Sequence, residues 1–271
     1  MQWEDLTSPD FEKAVRTCGG VGIIPVGVIE PHSAQLPLGT DTVEAHWTAC
    51  RAAEQEEAIV LPFYPFGINH ESAHLPGSLV IKRDLVLELL ENICDEMGRH
   101  GLTKIILLSG HGGNRYALPL FVQTLPEKEK PYVVYMANVG HFAGAKEILE
   151  TTETGHACEA ETSTALYING DHVRMDQVPP EPFTNLRRNK ALSDVGAYSP
   201  MDWYAMYPTM YVGDASKATA EKGKVLAEAR VAGLVELIKA VKQDDVSPGL
   251  LEEFLEGKRN PTSPDAWTKP D

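Results

Sequence analysis

Four cysteines in 271 residues, Cys18, Cys50, Cys94 and Cys158, are too few and too scattered for a disulfide framework, and no CxxC pair suggests a thiolate zinc site. Positive charge is also short. Against 39 Asp and Glu there are 24 Lys and Arg, a net charge of -15, so nucleic acid and anionic membrane are repelled on average and are not expected partners. No apolar run approaches the length of a membrane span, and the opening MQWEDLTSPDF is acidic where a signal peptide is basic and then apolar. Internal repeats and low-complexity tracts are missing too. What these absences leave is a chain expected to work in water, in the cytoplasm, with reduced thiols. An apolar fraction of 43% supports one large core. A single domain is expected over 1–256, followed at 257–271 by an arm or disordered tail that is short of core formers.

What is present centres on Val21 to Asp41, VGIIPVGVIEPHSAQLPLGTD. Its first nine residues are uncharged and rich in Val and Ile, the composition of a strand buried on both faces. Glu30 and His32 follow, two apart on extended backbone and so on one side of it, with Pro31 marking the strand's end. Asp41 stands at a helix entrance. A carboxylate, an imidazole and a second carboxylate at the carboxyl end of a buried strand make half of a metal site. The same Asp41-Thr42-Val43-Glu44 also fits a helix-capping pattern.

Helices and strands alternate along the rest. A short helix is expected within residues 1–20, with start signals at Ser8, Pro9 and Asp10 and a stop at Gly19-Gly20, and further helices from Thr42 to about Glu57, from Asp84 to His100 and from Arg115 to Thr124. Strands are expected at Ile59–Phe63, Lys104–Ser109 and Tyr132–Asn138. His141 to Glu150 reads as a helix or lid, and Asp214 to Lys242 as the longest helix. The pattern is that of a layered α/β sheet. His70-Glu71-Ser72-Ala73-His74 matches the HExxH zinc motif, with Glu91 downstream as a conceivable third ligand. Gly67 and Pro76 confine it, however, and apolar periodicity is missing, so it reads instead as a loop closing over a pocket. The irregular, aromatic-rich stretch from Asp171 to Tyr211 suits binding or an oligomer contact.

Two further clusters follow, the first at a strand end and the second at a helix start. Gly110-His111-Gly112-Gly113-Asn114 turns a strand into a helix and exposes backbone N–H groups where negative charge is favoured. Gly155-His156-Ala157-Cys158-Glu159-Ala160-Glu161-Thr162-Ser163 opens the third, where Glu159 and Glu161 are also ordinary first-turn acids. Arg115 and Lys82 either hold a substrate carboxylate or are plain solvated surface.

Together the clusters resemble the creatininase family, the creatinine amidohydrolases. EPHSAQLPLGTD at 30–41, GHGGN at 110–114, HACEAETS at 156–163 and GDASKATAEKG at 213–223 match the family's four elements in order, over nearly the whole chain. The resemblance implies a three-layer αβα sandwich with a mostly parallel central sheet. It implies a hydrolase with two divalent metal ions per chain (Zn, Mn or Fe), in a homohexamer built as a trimer of dimers. Glu30, Asp41 and His111 would bind one metal, and His32, Asp41 and Glu159 the other, with Asp41 bridging. His156 would shuttle protons beside Glu161 as a catalytic partner, and the amides of Gly112, Gly113 and Asn114 would hold an oxyanion. Family creatininases draw one ligand from the turn position that is Gly113 here, and Glu159 is the expected replacement. Pro31, Ser33 and Cys158 depart from the usual Gln, Gly and Gly, so a small polar substrate other than creatinine is expected. The implied reaction opens a C–N bond, as in a cyclic amide, through a metal-activated water. Hydrolytic C–C ring opening of an inositol-derived diketone is the alternative, and a catalytically silent binding protein or scaffold is a third.

Overall fold

A computed structural model of the chain describes residues 1–142 and 146–262. Helix α1 (Ser8–Thr17) starts where the Thr7 hydroxyl accepts from the Asp10 amide and Pro9 occupies the first turn. Gly19 and Gly20, both at positive φ, then turn the chain into β1 (Val21–Val26), which is buried throughout. Helix α2 (Thr40–Gln55) crosses to β2 (Ile59–Val60), and α3 (Arg83–Arg99) crosses to β3 (Lys104–Ser109). Helix α4 (Asn114–Thr124) crosses to β4 (Val133–Asn138). All pairings are parallel, in the order β2-β1-β3-β4. Parallel neighbours require such crossovers, and these put helices on both faces.

Side-chain alternation assigns the layers. Ile24 and Val26 of β1, with Ile105 and Leu107 of β3, pack into a core shared with Leu90, Cys94 and Met97 of α3 and Leu118 and Phe121 of α4. Val21, Ile23, Ile106 and Leu108 point the other way. There they meet the alanines of α2 and Leu234 and Ile238 of a long helix late in the chain, which completes the αβα sandwich. The register Val21↔Lys104 through Val26↔Ser109 ends β1 and β3 level with each other. Glu30 and His111 therefore leave the sheet on the same edge.

The second half supplies α5 (Glu159–Asn169), the short α6 (Lys190–Ser193) and α7 (Asp202–Met206), then α8 (Ala220–Gln243) and α9 (Val246–Arg259). Several elements differ from expectation. Strand β2 covers only Ile59–Val60 of the expected Ile59–Phe63, and past Pro62 the chain meets β1 again only in the isolated bridge Val26↔Tyr64. Helix α8 starts at Ala220 rather than Asp214, where the Thr219 hydroxyl accepts from the Lys222 amide. Val139–Phe142 and Lys146–Ile148 form 3-10 turns, and no α-helix occurs among the described residues between 139 and 150. Helix α9 carries the chain to Arg259, and residues 263–271 of the expected tail lie outside the described residues. No helix among the described residues is long and apolar enough to cross a membrane.

Candidate metal centre

Two glycines make room for Asp41. A β-carbon on Gly27, just past β1, would lie 2.4 Å from Thr42 Cα, and one on Gly110, just past β3, would lie 2.5 Å from the Asp41 carbonyl oxygen. The first turn of α2 thus rests directly on the carboxyl ends of both central strands. Thr42 Oγ1 donates to the Val28 carbonyl at 2.9 Å and ties the turn down. The Asp41 side chain is 5% exposed and divides its oxygens: Oδ1 lies 3.0 Å from His32 Nε2, and Oδ2 lies 2.8 Å from His111 Nδ1.

The other groups converge on this carboxylate. Glu30 is fully buried, with Oε1 3.0 Å from His111 Nδ1 and 3.8 Å from His156 Nδ1. Glu161 Oε2 lies 4.0 Å from His32 Nε2 and accepts from the Ala157 amide. The rings of His32 and His156 stack with centroids 4.1 Å apart. Backbone carbonyls set both tautomers. His32 Nδ1 donates to the Glu30 carbonyl at 3.2 Å, and His156 Nε2 donates to the Pro31 carbonyl at 2.8 Å. His32 Nε2 and His156 Nδ1 are thereby the nitrogens that face the cluster.

The electrostatics are those of a cation site. Burial alone would lower His32, but Asp41, with Glu161 and Glu30, lifts its pKa to about 10. His111 is likewise disfavoured as a cation by burial, yet Glu30, Asp41 and Glu71 raise it well above the imidazole range. Asp41 shows the converse. Burial would raise it, and His32 and His111 hold it well below the carboxylate range. His156 goes the other way, to about 4, first through burial and then through the charge of His32. Glu161 is raised, chiefly by burial. Glu30 Oε1 and Oε2 and Asp41 Oδ2 are buried and accept no hydrogen bond, and bare buried carboxylate oxygens of this kind call for a cation. Three overlapping groups have donor atoms close enough to share an ion: Glu30, His32 and His156; Glu30, Glu71 and His111; His32, Asp41 and Glu161. Oxygen and imidazole donors without thiolate suit Zn, Mn or Fe.

The cluster forms the floor of a cavity of about 760 Å³. Gly112, Gly113 and Arg115 line one side, and Tyr198, Trp203 and Met210 from the irregular segment line another. Lys82 is not among the lining residues.

Sequence and structure disagree on three points. Glu159, expected as a ligand, lies outside the cluster. Residues two apart on a helix point roughly 200° apart, so α5 can turn only one of Glu159 and Glu161 inward, and it turns Glu161. Glu159 instead accepts from Thr151 N and Oγ1 at 2.8 and 2.7 Å, from Glu150 N, and from Lys222 Nζ at 2.6 Å. Asn114, expected to offer an oxyanion amide, spends that amide on the His111 carbonyl at 3.3 Å. Its side chain is a clamp, with Oδ1 accepting from Ile68 N and Nδ2 donating to Ser109 Oγ. The third point is Glu71, set aside with its motif, whose Oε1 lies 3.0 Å from His111 Nε2. The HExxH match was the signal for it.

Comparison with known proteins identifies relatives of this chain. The chain is 29% identical to a mycofactocin precursor peptide peptidase of Mycolicibacterium smegmatis, over 82% of this chain and 85% of that one. It is 25% identical to a 3-dehydro-scyllo-inosose hydrolase of Thermotoga maritima, over 96% of this chain and 86% of that one. Solved creatininases of manganese and zinc–zinc type superpose with TM-scores of 0.75 and 0.75, at 22% and 21% identity over 90% of this chain and 99% and 98% of theirs, a likeness of fold. The family model for creatininase, creatinine amidohydrolase, matches residues 4–238, and with that span and these strand-end clusters the chain belongs to the creatininase family.

Proposed function

We propose that this creatininase-family hydrolase opens a C–N bond, in a cyclic amide or related small polar substrate, using two divalent cations that share Asp41. One observation carries the proposal: the two oxygens of a single buried carboxylate face two different imidazoles, beside a Glu30 whose own oxygens accept no hydrogen bond. Glu30, Asp41 and His111 Nδ1 would hold one ion, and Asp41, His32 Nε2 and Glu161 the other. A divalent ion bound there supplies a Lewis acid for the carbonyl and makes a nearby water more acidic.

The remaining roles fall to the chain. His156, neutral at pH 7 and held through Nε2 on the Pro31 carbonyl, presents Nδ1 as the atom that accepts a proton from water and returns it to the leaving nitrogen. Glu161 is tied to the same turn through the Ala157 amide, which keeps carboxylate and imidazole in step. Gly112, around which a β-carbon would meet nothing within 4 Å, lets a substrate carbonyl approach without side-chain hindrance. Trp203, edge-on to His156 at 5.9 Å, shields that ring from water.

A second reaction has support in the 25% identity with the inosose hydrolase across 96% of the chain. C–C ring opening of an inositol-derived diketone would use the same proton acceptor. An amide within a peptide belongs to the first bond class, and the cavity of about 760 Å³ has room for one. A homohexamer of cytoplasmic location, each chain a single domain over 1–256 with a short tail, completes the proposal.

Elemental analysis tests it. Wild type should carry about two ions per chain and Asp41→Ala none. His156→Ala should keep its metal and lose turnover by about 10²- to 10⁴-fold on a cyclic amide. A reconstituted wild type without metal would remove the hydrolase proposal, and activity confined to ring diketones would install the second reaction.

A further inference from the structure

The HExxH segment does not form the helix that would aim both of its histidines at one ion. Residues His70–Ser72 make a single 3-10 turn, and the motif comes apart around it. His70 lines the cavity wall, and His74 Nε2 donates to the Pro208 carbonyl at 2.7 Å. Glu71 alone points into the metal centre, its side chain 21% exposed and its Oε1 3.0 Å from His111 Nε2. The opposite nitrogen of the same ring, Nδ1, faces Glu30 and Asp41.

The turn is stitched to the segments that carry those residues. Gly67 N donates to the Gly27 carbonyl at 3.0 Å, Ile68 N to Asn114 Oδ1 at 2.9 Å, and Asn69 Nδ2 to the Ile29 carbonyl at 2.9 Å. Space for Glu71 exists because position 113 has no side chain. A β-carbon on Gly113 would lie 2.1 Å from Glu71 Oε1 and 2.3 Å from His111 Nε2. The glycine that removes a ligand from the turn therefore admits a carboxylate from another loop.

We propose that Glu71 is a positioning residue of the metal centre: it accepts the Nε2 proton of His111, fixes the tautomer, and so aims the Nδ1 lone pair at the ion held by Glu30 and Asp41. The inference rests on the two-cation function proposed above. A carboxylate on the outer nitrogen of a ligating histidine sets ring orientation and basicity, and its removal typically weakens metal affinity 10- to 100-fold. Gly113 is the second half of the device, since any side chain there displaces the carboxylate.

The test uses the full chain and zinc alone. Affinity comes from competition with a chelating dye, and the His111 tautomer from long-range ¹H–¹⁵N spectra of ¹⁵N-histidine-labelled, zinc-loaded protein. Wild type should show a slowly exchanging Nε2 proton and zinc on Nδ1. Glu71→Ala should lose the protected proton and bind the weaker zinc 10- to 100-fold less tightly. Gly113→Ala should reproduce that loss, while Glu71→Gln, which retains an acceptor oxygen, should restore the proton signal and most of the affinity. Melting of the metal-free proteins separates this from unfolding, and Glu71→Ala should melt within a few degrees of wild type. Wild-type affinity and an unchanged Nε2 signal in Glu71→Ala would overturn the role of Glu71 alone. Failure of wild type to bind zinc would overturn it together with the hydrolase function.

Discussion

Glu159 and Glu161 sit two residues apart at the start of α5, and exchanging each for glutamine should give opposite signatures. Glu159 is fully buried and accepts from two amides, a hydroxyl and the Lys222 ammonium. Charge-assisted bonds of this kind contribute about 1.5–3 kcal/mol each, and glutamine keeps one acceptor oxygen. Lys222 also retains Glu150 and the Lys217 carbonyl. The net loss for Glu159→Gln is therefore about 3 kcal/mol, the lower end of what breaking a buried pair produces. For a chain of this size that lowers Tm by roughly 6–12 °C. Zinc stoichiometry should not move. Glu161 is different: burial first, and Asp41 nearby, raise its pKa, so its charge opposes folding when no cation is present. Glu161→Gln in the metal-free protein should melt at or above wild type and lose the ion shared with His32. Melting scans with and without zinc, beside elemental analysis, read both effects. Loss of metal in Glu159→Gln with unchanged metal-free Tm would refute the assignment of these two side chains.

Three further outcomes follow from the same geometry. Arg230 Nη1 pairs with Glu44 Oε2 at 2.7 Å, each side chain 7% exposed, so Arg230→Met should cost about 3–5 kcal/mol in urea unfolding, and adding Glu44→Leu should recover most of it; full stability of the single variant would contradict a buried pair. In the metal-free protein His32, with a pKa of about 10, and His111, raised well above its usual value, both hold protons at pH 7. Zinc must displace them, so apparent affinity should rise with pH between about 6 and 9 and calorimetry in several buffers should register release of about two protons per chain; zero release would refute the charge state. Ser33, whose φ of 55° is one that side chains disfavour, directly follows His32, and Ser33→Gly should raise stability by about 1 kcal/mol in thermal melts, with no gain arguing against strain there.

Much of the centre was legible before any coordinates. Glu30, His32 and His111 follow strand ends marked by Pro31 or Gly110, which the sheet brings to one edge, while Asp41 opens α2 and His156 precedes α5 just after Gly155. What escaped was phase and context. Whether Glu159 or Glu161 turns inward depends on where α5 begins, and Cys158 as its N-cap decides that to within one residue. Glu71 was discounted because its motif lacked a helix, a sound objection to a zincin and no objection to a loop carboxylate that meets His111 across 40 residues of chain. Helix α9 had its signals in Asp245 and Pro248, but the polar stretch around them masked a short apolar face that buries Leu255. Helix α8 shows the reverse error, since alanine-rich periodicity runs upstream of Thr219 while the hydroxyl cap fixes the true start.

The parallel sheet also has a consequence in time. Glu30 and His111 come together only after β1 and β3 pair, a contact that spans some eighty residues and two crossovers. His156 and Glu161 join only when α5 has docked against α8, later still in the chain. Long-range parallel pairing is slow relative to local helix formation. During refolding, then, helical signal should return well before zinc can be captured, and capture marks the last event of assembly. A cation arriving early would meet no more than the isolated Glu30–Asp41 loop.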